Sequence, residues 1–159
     1  LAVLDIINEF GNVGHSDKGI DRQKLGNIIF SDPGAKNRLE LIIHPLVRQN
    51  RNKFIKQMKL QNRKVVVVDI PLLFETDSDI VCDEIICVWA PYFLQKQRAL
   101  KRTGMTQHKL DAILNSQLPQ QTKMHLADFS LPTGLGKAYA YKLLKRWLQS
   151  NLGFYRQIY

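Results

Sequence analysis

Apolar residues recur every three or four positions along much of the chain, the spacing that places them on one face of an α-helix. The first such segment runs from Leu1 through Leu4 and Ile7 to Gly11, which can end a helix. The same spacing predicts five further helices, which begin near Asp32, near Pro91, at Thr106, after Pro119 and near residue 135.

The helix predicted near Asp32 is the longest. Ser31 or Asp32 can cap its first turn, and Pro33 suits that turn because its missing N–H would have no helical partner there. The apolar spacing then continues to Met58. Pro45 lies inside this segment, so we expect it to kink or divide the helix.

Three segments are predicted to be strands. Residues 64–70 (KVVVVDI) are so apolar and β-branched that they are typical of a strand buried on both faces, as in parallel sheets. Residues 83–91 repeat the pattern, and residues 127–133 are a weaker third case. Strands that alternate with helices indicate an α/β fold with a parallel sheet.

The composition fits one globular domain of 159 residues, since 45% of them are hydrophobic. The formal net charge of +9 favours a polyanionic partner: nucleic acid, acidic lipid or a phosphorylated small molecule. Lys and Arg gather at 48–64, 96–102 and 137–146, although each group could equally be a solvated helix face. No nucleic-acid-binding motif accompanies them, so we expect no specific nucleic-acid partner.

Cys82 and Cys87 lack the spacing of a metal site or a redox pair, which favours two small buried side chains in a reducing cytoplasm. No apolar run approaches the roughly 20 residues that span a bilayer, so no membrane partner is expected. We therefore predict a cytoplasmic protein, and the sequence leaves its oligomeric state open.

Asp69 stands where the most apolar predicted strand ends. Ligands of open parallel sheets bind beyond the carboxyl ends of the strands, so this carboxylate could hold a water on Mg²⁺ or orient a substrate hydroxyl. It could equally cap the short helix expected from Pro71 to Glu75.

Gln95, Arg98 and Arg102 fall within about 60° of one another on a helical wheel. Two arginines one turn apart can bind successive phosphates and stabilise the charge that develops during phosphoryl transfer. Phe93 and Leu100 point nearly the opposite way, so we expect them to dock the helix. The alternative is a solvated basic face.

His44 lies on a mostly apolar helix directly before Pro45, where a hydrogen-bonded structural histidine is commoner than a ligand or a base. No residues have the spacing of a nucleophile–base pair or of a metal-ligand cluster. No metal-binding side chains are therefore predicted.

Four segments occur in an order and spacing that together resemble dephospho-CoA kinase: IDRQKLGNIIFSDPGAKNRLELIIHPLV, VVVVDIPLLFET, QKQRALKR followed by GMT, and ILNSQLPQQTKMHLADFSLPT. The likeness covers about residues 1–150. HPLV, PLLFE and Q-x-x-R-x-x-x-R are specific as a set, whereas each alone is a weak signal.

The resemblance implies a P-loop NTPase-like, three-layer α/β fold with a parallel sheet, a helical substrate-binding region and a lid. It implies transfer of the ATP γ-phosphoryl, with Mg²⁺, to the ribose 3′-hydroxyl of dephospho-CoA in coenzyme A biosynthesis. On this mapping one domain, 1–159, comprises a mainly helical acceptor-binding region (1–63), the strands and lid (64–133) and a C-terminal helix (134–150).

The resemblance also implies roles for individual residues. Arg98 and Arg102 would be catalytic and, with Gln95, would bind the nucleotide from the lid. Substrate binding is implied for six residues: His44, Pro45, Asp69, Leu72, Leu73 and Glu75.

Members of this family begin with a strand, a G-x-x-x-x-G-K-[ST] loop that holds ATP, and a second strand whose Asp acts on the acceptor hydroxyl. None of the nine glycines of this chain belongs to such a loop. We therefore expect about forty residues to be missing upstream of Leu1, where the loop would lie, and no activity from the chain alone. A non-catalytic remnant that binds CoA-like ligands or a partner is the alternative, and a basic nucleic-acid-binding domain is a weaker one.

Overall fold

In this computed structural model, residues 2–15, 19–32 and 34–151 are described, and they belong to two compact units, Leu1–Asp69 and Ile70–Tyr159. The described part of the first unit contains α1 (Ala2–Phe10), β1 (Gly14–His15), β2 (Gly19–Ile20), α2 (Arg22–Ser31) and α3 (Ala35–Leu60). The second contains 3₁₀ turns at Phe74–Thr76 and Asp79–Val81, then β3 (Ile86–Trp89), α4 (Tyr92–Leu100), α5 (Gln107–Asn115), α6 (Gln120–Leu126), β4 (Phe129–Pro132) and α7 (Lys137–Asn151).

The core of the first unit forms where Ile6 of α1, Val13 and Leu25 of α2 meet, and all three are buried. β1 pairs antiparallel with β2, with Gly14 opposite Ile20. The sequence does not predict this hairpin, because strands of two residues leave no alternation of apolar and polar positions to detect.

Arg38 joins three segments of the first unit. Its Nε lies 2.7 Å from a carboxylate oxygen of Glu9 on α1, and its Nη2 lies 2.8 Å from Oδ2 of Asp32. The guanidinium carbon lies 5.8 Å from the centroid of the Phe10 ring. The hydrogen bond from Arg38 lowers the pKa of Asp32, so this residue meets Arg38 as a carboxylate and ties the segment after α2 to α3.

α3 begins just after the predicted start near Asp32. Its N-terminal boundary residue is Gly34, which has no side chain to cap with, while Ser31 ends α2. Of the two predicted cap residues, Ser31 donates its hydroxyl to the carbonyl of Ile28 within α2, whereas Oδ1 of Asp32 accepts the N–H of Gly34 at 2.8 Å and so caps the turn that leads into α3, as predicted. Pro33 lies outside the described residues.

α3 runs unbroken through Pro45, so the predicted division of this helix at Pro45 is wrong. Proline removes one backbone hydrogen bond from a helix interior. With 26 residues, α3 keeps turns on both sides of that position, and these hold the helical backbone across the gap.

Residues 64–70 do not form the predicted strand. Val67 is 82% exposed, and in the described chain β1 pairs with β2 and β3 pairs with β4. A strand needs neighbours that satisfy its N–H and C=O groups, and no described strand lies beside 64–70. The β-branched composition favours extended backbone here but does not supply the partner.

The other two predicted strands are confirmed, and so is the parallel sheet of an α/β fold. β3 and β4 pair in parallel, with Ile86 opposite Phe129 and Trp89 opposite Pro132. α6 packs on β3 and α7 packs on β4. On the α7 side, the rings of Phe129 and Trp147 stack with centroids 5.3 Å apart.

Cys82 and Cys87 are half-buried thiols. Burial raises the pKa of Cys87, which favours the neutral thiol. Among the helices of the described chain, none combines the length and apolar character that a bilayer crossing requires.

Candidate functional site

The side chain of Gln95, in the first turn of α4, makes two hydrogen bonds that hold this turn in place. Its side-chain Nε2 donates to the backbone carbonyl of Ala90, 2.6 Å away, and also to Oε1 of Gln120 on α6. Ala90 itself is buried at the end of β3. Both N–H groups of the amide thus lie against protein acceptors, and Gln95 joins α4 to α6.

Arg98 lies over the carboxyl ends of the parallel strands. Its Nη2 donates to the backbone carbonyl of Thr133, 3.3 Å away, directly after β4. The N–H and the hydroxyl of Thr133 both donate to the carbonyl of Trp89, at 2.8 and 2.9 Å, which ties the ends of β3 and β4 together. This is the edge at which α/β sheets bind ligands.

α4 ends at Leu100, so Arg102 lies in the turn after the helix and not on the helix, where the prediction placed it. The N–H of Arg102 donates to the carbonyl of Ala99, an i to i−3 bond that tightens the chain into a turn. Both arginines are exposed. Arg98 therefore projects from the helix and Arg102 from the turn that follows it.

The apolar docking of α4 through Phe93 is also wrong, since Phe93 is 67% exposed. The two hydrogen bonds of the Gln95 side chain, here called the Gln95 clamp, hold α4 in place instead. A wheel of apolar positions cannot identify such a clamp, because a glutamine is ordinarily read as a solvent-facing residue.

Glu75 belongs to a turn that closes on itself between Leu72 and Ser78. The hydroxyl of Thr76 donates to the carbonyl of Leu72 at 2.8 Å, and it also lies 3.0 Å from the buried hydroxyl of Ser78. The N–H of Ser78 donates to the carbonyl of Leu73 at 2.9 Å. Leu72 and Leu73 are half-buried.

Glu75 pairs with Lys123 of α6 at 2.6 Å, and the same carboxylate oxygen accepts from the N–H of Leu118 at 3.0 Å. The two side chains are only 14% and 17% exposed. Burial raises the pKa of Glu75, but the hydrogen bonds from Lys123 and from backbone N–H groups outweigh it and hold the pKa below its ordinary value. Glu75 is therefore a charged group in a largely enclosed pair.

Three predicted residues lie in the first unit. His44 is half-buried on α3, and Pro45 beside it is exposed. Asp69 is exposed at the end of that unit. The predicted nucleotide residues and the predicted turn 72–75 lie in the second unit, where α6 contacts Gln95 and Glu75.

Sequence reasoning missed Gln120, Lys123 and Thr133. Lys123 had a detectable signal, because it is the lone lysine or arginine of the helix QQTKMHL and an enclosed cation needs a carboxylate partner. Thr133 acts through its backbone carbonyl as well as its side chain, which composition cannot reveal. Within the described part of the chain, no group of three or more His, Cys, Asp or Glu side chains could hold a metal ion.

A family model for dephospho-CoA kinase matches residues 2–134 of the chain. The dephospho-CoA kinase of Rhodospirillum rubrum is 44% identical over 144 residues, which cover 91% of this chain and 68% of the relative. That of Mesorhizobium japonicum is 46% identical over 120 residues, which cover 76% of this chain and 61% of the relative. The chain thus spans about two thirds of the length of these curated relatives.

Two solved structures share the fold. A Thermus thermophilus protein superposes with a TM-score of 0.66 at 25% identity, covering 94% of this chain and 80% of that one. The dephospho-CoA kinase of Campylobacter jejuni superposes with a TM-score of 0.61 at 27% identity, covering 93% of this chain and 77% of that one.

Proposed function

Because the chain belongs to the dephospho-CoA kinase family, we propose that the protein transfers the γ-phosphoryl group of ATP to the ribose 3′-hydroxyl of dephospho-CoA. The observation that carries the proposal is the family match over residues 2–134. The whole activity belongs to the proposal, since the aligned part covers 61% to 68% of the two bacterial relatives.

Arg98 and Arg102 are the residues we assign to the phosphates. Phosphoryl transfer spreads negative charge over the oxygens of the transferred group, and guanidinium groups stabilise that charge. The position of Arg98 over the carboxyl ends of β3 and β4 supports this assignment. Gln95 supports it indirectly, because its two hydrogen bonds fix the first turn of α4, and Arg98 projects from the last turn of the same helix.

The acceptor is assigned to two groups of residues. In the second unit, Leu72, Leu73 and Glu75 would form one wall of its binding cleft, which is supported by the closed hydrogen bonding of their turn. In the first unit, His44, Pro45 and Asp69 keep the roles that the family resemblance implies. Dephospho-CoA offers an adenine and a pantetheine arm, to which half-buried leucines give an apolar surface.

ATP is the phosphoryl donor that family membership implies. Mg²⁺ belongs to the proposal alone: the described side chains include no cluster that could hold it, so we assign it no ligand and no step. The residues that do fit ATP are the two exposed arginines, which offer N–H donors to phosphate oxygens.

The test compares two proteins and measures both catalysis and binding. Dephospho-CoA and ATP are incubated with the 159-residue chain and with a fusion that places a P-loop-bearing segment before Leu1. Mass spectrometry detects CoA, and calorimetry measures dephospho-CoA binding. We expect CoA from the fusion and dephospho-CoA binding by both proteins. A fusion that binds ATP but neither binds nor phosphorylates dephospho-CoA would overturn the proposal.

A further inference from the structure

We propose that Lys123 is a positioning residue for the acceptor: it holds the turn Leu72–Ser78, and with it the apolar wall of Leu72 and Leu73, at the place where dephospho-CoA binds. This inference rests on the proposed function. Lys123 is not assigned to touch the substrate; it acts through Glu75.

Hydrogen bonds within the turn Leu72–Ser78 hold its residues together as one unit. Thr76 bonds back to the carbonyl of Leu72, and Ser78 bonds back to the carbonyl of Leu73. Asp77 adopts a left-handed conformation, with φ of 48°, that completes the reversal of the chain. Whatever fixes one residue of this turn therefore fixes Leu72 and Leu73 with it.

Glu75 is the attachment point of the turn. One of its oxygens, Oε1, receives both Lys123 Nζ at 2.6 Å and the N–H of Leu118 at 3.0 Å. The other, Oε2, is buried and has no hydrogen-bond partner within the described chain. Without Lys123, an enclosed carboxylate would keep a single strong donor, and Glu75 would gain free energy by turning to water. The turn would then leave its place.

α6 offers a matched control for this argument. Gln120 and Lys123 lie three residues apart, which places them on the same side of α6. Lys123 ties α6 to the turn, whereas Gln120 ties α6 to α4 through Gln95. Changing Gln120 therefore perturbs the same short helix without touching Glu75.

The proposal predicts different effects for different side chains at position 123. Lys123→Met keeps the length and apolar stem but removes the charge, so dephospho-CoA should bind about tenfold more weakly or worse. Lys123→Arg keeps a cation that can reach Glu75, and its affinity should stay within about threefold of the original. Gln120→Ala should also stay within about threefold, since the turn remains attached.

The experiment measures dephospho-CoA affinity by calorimetry and amide hydrogen exchange over residues 71–78 for the chain and these three variants. We expect weaker binding and faster exchange in Lys123→Met alone. Unchanged affinity in Lys123→Met would overturn the proposal. Equal weakening in Gln120→Ala would overturn it as well, because it would reduce Lys123 to a general support of α6.

Two further outcomes are decided by the same data. Should Lys123→Met fail to fold, Lys123→Gln, which keeps one donor for Glu75, takes its place with an expected loss of about fivefold. Should the original chain not bind dephospho-CoA, the proposed function fails for it. Hydrogen exchange then decides the inference alone: equal exchange over 71–78 in chain and variant would overturn it.

Discussion

Gly134 lies so close to Pro91 that a Cβ atom at position 134 would stand 3.0 Å from Cδ of the proline ring and 3.3 Å from a methyl carbon of Leu94. The residue after Thr133 is thereby pressed against the first turn of α4. Only a residue without a side chain allows the end of β4 to approach the helix that carries Arg98.

Gly134→Ala should therefore destabilise the second unit by about 1–3 kcal/mol, because the rigid proline ring has little room to retreat. Gly26→Ala is the control. Gly26 lies inside α2, where an added Cβ meets nothing within 4 Å, so this change should be neutral or stabilise by about 0.5–1 kcal/mol. Urea denaturation followed by far-UV circular dichroism measures both, and equal effects would contradict the close approach.

The Glu75–Lys123 pair should make stability depend on pH in one direction. The pKa of Glu75 is lower in the folded protein than in the unfolded chain, so its contribution is complete above the unfolded value of about 4.3 and is lost as the pH falls through the folded value. Glu75→Gln should cost about 1–3 kcal/mol at pH 7 and progressively less in acid. Denaturation at neutral and acidic pH measures the difference, with Glu84→Gln, an exposed carboxylate of the same unit, as control.

Arg98 and Arg102 should matter for turnover more than for acceptor binding. In the fusion with a P-loop segment, alanine at either position should lower kcat by about 100-fold or more with a smaller change in the KM for dephospho-CoA, since the lost contact strengthens in the transition state. Lysine should rescue only in part, because it lacks the forked geometry of arginine. Lys101→Ala is the control, since Lys101 lies between them in sequence, and it should leave kcat within about twofold of the original. Unchanged turnover in Arg102→Ala would contradict the assignment of Arg102 to the phosphates.

The positive charge should not confer specific binding to nucleic acid. With a net charge of +9 the chain will bind duplex DNA weakly at low salt, and counterion release should abolish that binding near physiological salt. Fluorescence anisotropy with labelled duplexes at two salt concentrations tests this. Sequence-dependent binding that survives physiological salt would favour the nucleic-acid alternative.

The 159-residue chain by itself should neither turn over nor show an ATP-dependent thermal shift. Aligned backbone N–H groups and a lysine of a Gly-rich loop supply most of the ATP affinity in this fold, and exposed arginines cannot replace them. The fusion should recover both properties. Measurable 3′-phosphorylation by the chain alone would show that the nucleotide binds elsewhere.

The helices other than α2, and the parallel strands β3 and β4, could be predicted from sequence because their signals are local. Thr106 illustrates this: its hydroxyl accepts the N–H of Lys109 and begins α5 where the pattern placed it. Residues 64–70 illustrate the limit, since their composition specifies extended backbone while a strand also requires a neighbour that no local pattern encodes.

The candidate site could be predicted only in part for a related reason. Arg98 could be singled out because Gln95, Arg98 and Arg102 recur at helical spacing, whereas its hydrogen bond to the carbonyl of Thr133 after β4 was not predicted. Arg102 was predicted to lie on the helix, but α4 ends at Leu100 and the N–H of Arg102 bonds to the carbonyl of Ala99 in the turn that follows. Lys123 and Gln120 act through pairs that are 48 and 25 positions apart in sequence, and such pairs become visible only in the fold.

The stack of Trp147 on Phe129 has a spectroscopic consequence. Both tryptophans of the chain and all five tyrosines follow residue 70, so they belong to the second unit. Intrinsic emission therefore reports the docking of α7 on β4, whereas residues 1–69 carry no tryptophan or tyrosine of their own. Far-UV ellipticity, to which α1, α2 and α3 contribute, is the measurement that follows the first unit.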